Sequence, residues 1–192
     1  MPRVPGAKVP RAIVPPADVA RRAARIRLIL FDVDGVLTDG TLLLHADGTE
    51  SKRYDIKDGT GIVLAQRAGI RVGFLSARMS AATQQRATQL GVTLVHQGIA
   101  SKLETYDQIA DELLLEDEDI AYMGDDIVDL AVLSRVGLAA APADAIDEVR
   151  TRVHWTSDFR GGRGAARQLI EVVLHAQHLW EPLLLEYLGQ KV

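Results

Sequence analysis

The chain has 192 residues, 47% of them hydrophobic and 25% charged, with a formal net charge of −4; this is one ordinary soluble domain, long enough to bury roughly 70% of its unfolded surface. It contains no cysteine, which excludes disulfide frameworks, thiolate metal sites and a cysteine nucleophile. Its five histidines (His45, His96, His154, His175, His178) lack zinc-hydrolase spacing, no apolar run approaches the roughly 18 residues of a membrane span, and the acidic balance leaves no overall footprint for nucleic acid.

The first 27 residues depart from that balance. They carry seven basic side chains against Asp18 alone, and five of the seven prolines. A proline-rich leader without aromatic residues buries too little surface to order itself, so residues 1–16 are expected to be flexible, a solvated tail ahead of the fold. Residues 18–25 predict a short helix with Asp18 near its N-cap. Residues 26–33 (IRLILFDV) form a nearly continuous apolar run, the pattern of a central parallel strand covered on both faces. Residues 41–45 and 49–54, joined by Ala46-Asp47-Gly48, predict a β-hairpin. Further on, strands are expected at 71–75, 92–95, 120–124, 137–140 and 153–155. Helices are expected at 59–68, 79–90, 101–115, 127–134 and 164–178. Regular β-α-β alternation predicts an α/β fold with a doubly wound parallel sheet. The domain is expected over residues 17–178, and 179–192 form a C-terminal tail whose leucines and Trp180 pack on the body or on another subunit.

Ligands of such sheets bind beyond the carboxyl ends of the strands. Those positions hold Asp32 and Asp34 after the first strand, Ser76 after the second, and Asp125, Asp126 and Asp129 after the fourth, while Lys102 opens the helix after the third. Converging carboxylates repel unless a cation joins them, and hard oxygen ligands favour Mg²⁺, which keeps waters and engages phosphate. A lysine and a hydroxyl suit the remaining phosphoryl oxygens, and a carboxylate is a competent nucleophile toward phosphorus. The residues thus point to Mg²⁺-assisted phosphoryl transfer to Asp32. Asp34, two residues on, is placed to donate a proton to the leaving oxygen and later take one from water. Gly35 lets the chain turn sharply past the phosphate.

FDVDGVLTDG, the serine of LSAR, Lys102 in ASK and GDDIVD together resemble the four motifs of the haloacid dehalogenase superfamily, in order. The resemblance implies that Asp32 is nucleophile and Mg²⁺ ligand, and that Asp34 is acid/base and a ligand through its main-chain carbonyl. Ser76 and Lys102 would hold the phosphoryl group, Asp125 would bind Mg²⁺, and Asp126 and Asp129 would support metal and lysine. A capping role for Asp126 and a structural pairing of Asp129 with Lys102 are the plainer readings. Only about 40 residues separate Asp34 from Ser76, filled by the hairpin and one helix, so no cap domain is expected. Along residues 26–178 the chain further resembles the 3-deoxy-D-manno-octulosonate 8-phosphate phosphatases, which are capless tetramers whose hairpins assemble together. That resemblance implies a cytoplasmic enzyme of lipopolysaccharide sugar synthesis acting on a phosphorylated sugar acid, with neither nucleic acid nor membrane as partner. Lys57 and Asp58 (where the family often has arginine before DG), Arg78 and Arg163 are the candidate substrate contacts, each weighed against an ordinary surface charge. Gln168 replaces the family's usual glutamate. Alternatives are a nonulosonate 9-phosphate phosphatase and a non-catalytic oligomerisation domain. A phospho-accepting receiver domain fits less well, because its phosphorylated aspartate lacks an acid two residues on.

Overall fold

The computed structural model describes residues 15–189; the expected flexibility of the leader falls mainly on residues outside that range. Six strands form one parallel sheet in the order β5-β4-β1-β6-β7-β8. They are β1 (Leu28–Phe31), β4 (Arg71–Ser76), β5 (Leu94–Gln97), β6 (Ile120–Met123), β7 (Leu138–Ala141) and β8 (Trp155–Thr156). β1 lies at the centre, in register with β4 from Leu28↔Arg71 to Phe31↔Phe74 and with β6 from Leu28↔Ile120 to Phe31↔Met123.

The apolar run at β1 buries every side chain, and alternation sends them to opposite faces. Ile29 and Phe31 join one core with α1 (Ala17–Ala23), α2 (Ile56–Arg67), α3 (Ala81–Leu90) and α7 (Ala165–Ala176). Leu28 and Leu30 join the other, with α4 (Lys102–Leu113), α5 (Leu130–Leu133) and α6 (Asp147–Arg150). Each such side chain is worth about 1.5–3 kcal/mol of burial, so β1 is anchored from both sides. The chain winds from β1 out to β5, then returns across β1 to β6. The switch point therefore falls at the carboxyl end of β1, where Asp32 begins.

The hairpin is a separate two-stranded ribbon, β2 (Leu43–Leu44) against β3 (Glu50–Ser51), antiparallel with Leu43 opposite Ser51. It is shorter than expected because an isolated ribbon has no sheet to extend its pairing. Between β1 and β4 the chain contains only this hairpin and α2, so the expected absence of a cap holds among the described residues.

Element boundaries differ from expectation in several places: β5 begins two residues late, and the short α6 lies where no helix is expected. α1 starts with Pro16 at the N-cap and no side-chain cap; Asp18 sits in its first turn instead. α2 begins three residues early, because Asp55 caps it by accepting from the Lys57 and Asp58 N–H groups. The helix expected over 127–134 divides into a 3-10 turn, Ile127–Asp129, and the short α5. Within the tail, Trp180–Tyr187 form a helix, α8, with Leu183 buried against the core.

Candidate active site

Asp32 leaves β1 buried in the sheet, with its N–H donating to Met123 O of the neighbouring strand at 3.0 Å. From the start of α4, Lys102 reaches across the rim. Its Nζ lies 2.6 Å from Asp32 Oδ1, 2.5 Å from Asp129 Oδ1 and 3.1 Å from the Tyr122 hydroxyl. Burial alone would push the Lys102 ammonium down, but Asp32 and Asp129 outweigh it and the net shift is upward. Lys102 is therefore a fixed positive charge at neutral pH.

Asp129 is wholly buried and serves this lysine. Its other oxygen accepts from the Asp125 and Asp126 N–H groups at 2.9 and 3.1 Å, and the Tyr122 hydroxyl donates to the first. Those bonds tie down the loop after β6 and explain why the following helix starts as a 3-10 turn. Asp126, by contrast, is exposed and accepts from Ile127 N–H at the turn's start. Of its two readings the structure displays the cap.

Asp32, Asp125 and Asp129 each place a carboxylate oxygen within 4.8 Å of the others. Burial pushes Asp125 up to about 8, helped by the neighbouring charges of Asp32, Asp129 and Asp126. Burial likewise raises Asp32 to about 7, with Lys102 opposing and Asp129 reinforcing the rise. Asp129 is already saturated by its donors, so the carboxylates free to hold a cation are Asp32 and Asp125. Hard oxygens short of positive charge fit Mg²⁺. The loop is shaped around them: a Cβ at Gly35, whose φ is +98°, would meet Asp125 Oδ2 at 2.0 Å. Thr38 closes the same loop, its hydroxyl donating to Val33 O and accepting from the Gly35 and Gly40 N–H groups.

Ser76 ends β4, the strand beside β1, and is buried. Its hydroxyl donates to Arg78 O at 3.1 Å. Asp34 faces the hairpin: Lys52 Nζ lies 2.6 and 2.9 Å from its two carboxylate oxygens, and Arg78 Nε lies 3.7 Å from Oδ2. Arg78 also donates to Glu50 Oε2 at 3.0 Å, so it stands at the mouth of the site. Arg163 is brought in by a glycine turn pressed on the Asp32 loop. Gly162 N–H donates to Val36 O at 2.9 Å, and a Cβ at Gly161 would sit 1.7 Å from Gly35 O. The Arg163 guanidinium then lies 3.7 Å from Asp39 Oδ2, a carboxylate also held by Arg53.

The other two candidate substrate contacts, Lys57 and Asp58, lie in the first turn of α2. Asp58 is buried and accepts from Gly164 N–H at 3.2 Å and Arg167 N–H at 2.8 Å at the start of α7. The N-cap there is a glycine without a side chain, so Asp58 caps α7 from another helix. Lys57 is exposed in the first turn of α2 and forms no ion pair among the described residues. Tyr122 and Lys52 are the residues that sequence reasoning missed. Tyr122 looks like core in the apolar run IAYMG, and Lys52 is one of several charges on a hairpin.

A haloacid dehalogenase-like hydrolase family profile matches residues 92–169. The chain is 38% identical over 160 residues to the 3-deoxy-D-manno-octulosonate 8-phosphate phosphatase of Yersinia pestis, covering 83% of this chain and 86% of that protein. The crystal structure of the Yersinia pestis phosphatase superposes with a TM-score of 0.85, covering 86% of this chain and 89% of that one. The same phosphatase from Moraxella catarrhalis, crystallised with magnesium ion, phosphate ion and the sugar acid KDO, superposes with a TM-score of 0.86 at 29% identity. Coverage there is 88% of this chain and 98% of that one. At this identity and coverage, the chain belongs to the 3-deoxy-D-manno-octulosonate 8-phosphate phosphatase family of haloacid dehalogenase-like hydrolases and is a phosphoric monoester hydrolase.

Proposed function

We propose that the protein hydrolyses 3-deoxy-D-manno-octulosonate 8-phosphate to the free sugar acid and phosphate, with Mg²⁺ as its cation and Asp32 as the phosphoryl acceptor. The observation that carries this reading is the juxtaposition of Asp32, Asp125 and Lys102 at the switch point of the sheet. The Moraxella catarrhalis relative, which holds magnesium, phosphate and KDO, supports the choice of ligands.

Asp32, Asp125 and the Asp34 carbonyl would hold the cation, which when bound neutralises charge on the phosphoryl group and keeps Asp32 ionised. Asp32 Oδ attacks phosphorus, and the bond to the sugar oxygen breaks as Asp34 passes that oxygen a proton. Lys102 and Ser76 hold non-bridging oxygens and take up developing charge. Water then attacks the phosphoaspartate, Asp34 receives its proton, and Asp32 and phosphate are released. Arg78 and Arg163 are the proposed contacts to the sugar acid, since guanidinium pairs well with a carboxylate.

With no cap to exclude water, the site needs a neighbour, and we assign that role to further copies of the chain, joined as a tetramer through the hairpins. No described helix is long and apolar enough to cross a membrane, in keeping with a proposed cytoplasmic step of lipopolysaccharide sugar synthesis. Residues 17–178 form the proposed catalytic domain.

Phosphate release with Mg²⁺, compared across the eight-carbon sugar acid phosphate, a nine-carbon ulosonate 9-phosphate and simple sugar phosphates, tests the reading. Strong preference for the eight-carbon acid is expected. Preference for the nine-carbon acid would keep the chemistry and replace the substrate, and no release from any would overturn the proposal.

A further inference from the structure

The proposed mechanism gives Asp34 the proton, and something must fix its carboxyl. The hairpin supplies that group. Lys52 Nζ lies 2.6 and 2.9 Å from the two Asp34 oxygens, and the lysine side chain is wholly excluded from solvent while Asp34 keeps 20% exposure. On the far side, Glu50 Oε1 stands 3.8 Å from the same Nζ and is buried without a hydrogen-bond partner of its own. Arg78 completes the ring, 3.0 Å from Glu50 Oε2 and 3.7 Å from Asp34 Oδ2. Two acids and two bases alternate around the mouth of the site.

A lysine on a surface ribbon normally keeps its ammonium in water. Burying one is costly unless its charge is met, and here both Asp34 oxygens meet it. We propose that Lys52 is a positioning residue for proton transfer by Asp34, with Glu50 holding Lys52 from behind. An ammonium spanning both oxygens can keep one while the other exchanges the proton with the sugar oxygen or with water. The carboxyl then need not search rotamers at the moment of transfer, and misplacement by an ångström is worth about 10²-fold in rate. Lys52 touches neither phosphorus nor the sugar oxygen in this scheme; it acts through Asp34.

The inference rests on the phosphatase reading, and leaving-group dependence separates the two. Proton donation matters for a sugar alkoxide and hardly at all for p-nitrophenolate. The value of kcat/KM reports only steps through the first irreversible one, so slow phosphoaspartate hydrolysis does not enter. For Lys52→Met, kcat/KM with 3-deoxy-D-manno-octulosonate 8-phosphate should fall about 10²-fold, while with p-nitrophenyl phosphate it should fall no more than ~3-fold. The loss should lie in kcat rather than KM, and Lys52→Arg should recover most of it. Lys52→Gln is the second truncation should the methionine variant melt early. Equal losses on both substrates, or no loss, would overturn the assignment and leave Lys52 as a hairpin anchor. Asp34→Asn is the reference. If it discriminates between leaving groups and both Lys52 truncations do not, the Lys52 inference alone fails. Without discrimination in Asp34→Asn, or without turnover in the parent, the acid role fails and the Lys52 inference with it.

Discussion

Burial favours the protonated form of both Asp32 and Asp125, reinforced by Asp129 in each case and, at Asp125, by Asp32. With Asp32 raised to about 7 and Asp125 to about 8, a cation entering the site must displace those protons. Both shifts are upward, so protons compete with the cation increasingly as pH falls. The Mg²⁺ concentration for half-maximal activity should therefore rise on acidification, by up to about tenfold per pH unit for each proton displaced. Titrating Mg²⁺ at several pH values checks this, and a half-saturation that ignores pH would contradict it. Substitution separates the two carboxylates by chemistry. Asp32→Asn keeps size and hydrogen-bonding reach to Lys102 but cannot form a phosphoaspartate, so turnover should vanish with the circular dichroism spectrum intact. Appreciable residual phosphate release would remove Asp32 from the nucleophile's role.

Among the elements, α7 depends on a distant residue for its N-terminal cap. Its N-cap, Gly164, stands at φ +110° and offers no side chain, leaving first-turn N–H groups that Asp58 satisfies from α2. Removing that acceptor in Asp58→Ala should lower stability by about 1–2 kcal/mol, near 2–4 °C in Tm for each kcal/mol at this size. Effects on kcat should be small by comparison. Thermal melting with parallel kinetics checks this; an unchanged Tm with a raised KM would favour the substrate role of Asp58 over the cap. The same pair shows what a sequence can disclose. Asp32, Ser76 and Lys102 were legible because each follows an apolar strand or opens a helix, where chain order alone predicts the rim. The capping role of Asp58 was not, since its partner lies 106 residues away and the expected helix begins only after it. Gly61 sets the spacing of α2 against α7: a Cβ there would meet Arg167 Cδ at 2.9 Å and Arg167 Cα at 3.4 Å. Lys52 stayed hidden for a related reason, because only the fold-back of the ribbon carries it across 18 residues to Asp34.

At the scale of the molecule, the parallel sheet and its two cores deliver every proposed catalytic group to one rim, and among the described residues no cap domain covers it. The hairpin beside it presents Leu43 and Leu44 at 59% and 70% exposure, on a ribbon too short to be stable alone. Lys52 and Glu50, which reach the site, sit on that ribbon's returning strand and just beyond it. Whatever packs the ribbon therefore also steadies the Asp34 ring, and a second copy of the same ribbon would bury its leucines at about 1.5–3 kcal/mol per side chain. The proposed tetramer makes both consequences measurable. Light scattering at micromolar protein should give about four times the 20.9 kDa chain mass. Leu43→Asp combined with Leu44→Asp should yield smaller species, because four ribbons would then bring like charges together. If the ring depends on assembly, the same double variant should lose kcat in step with the lost mass, and raising its concentration should restore part of both. A parent protein of single-chain mass would overturn the tetramer, and a fully active monomeric variant would show that the site needs no neighbour.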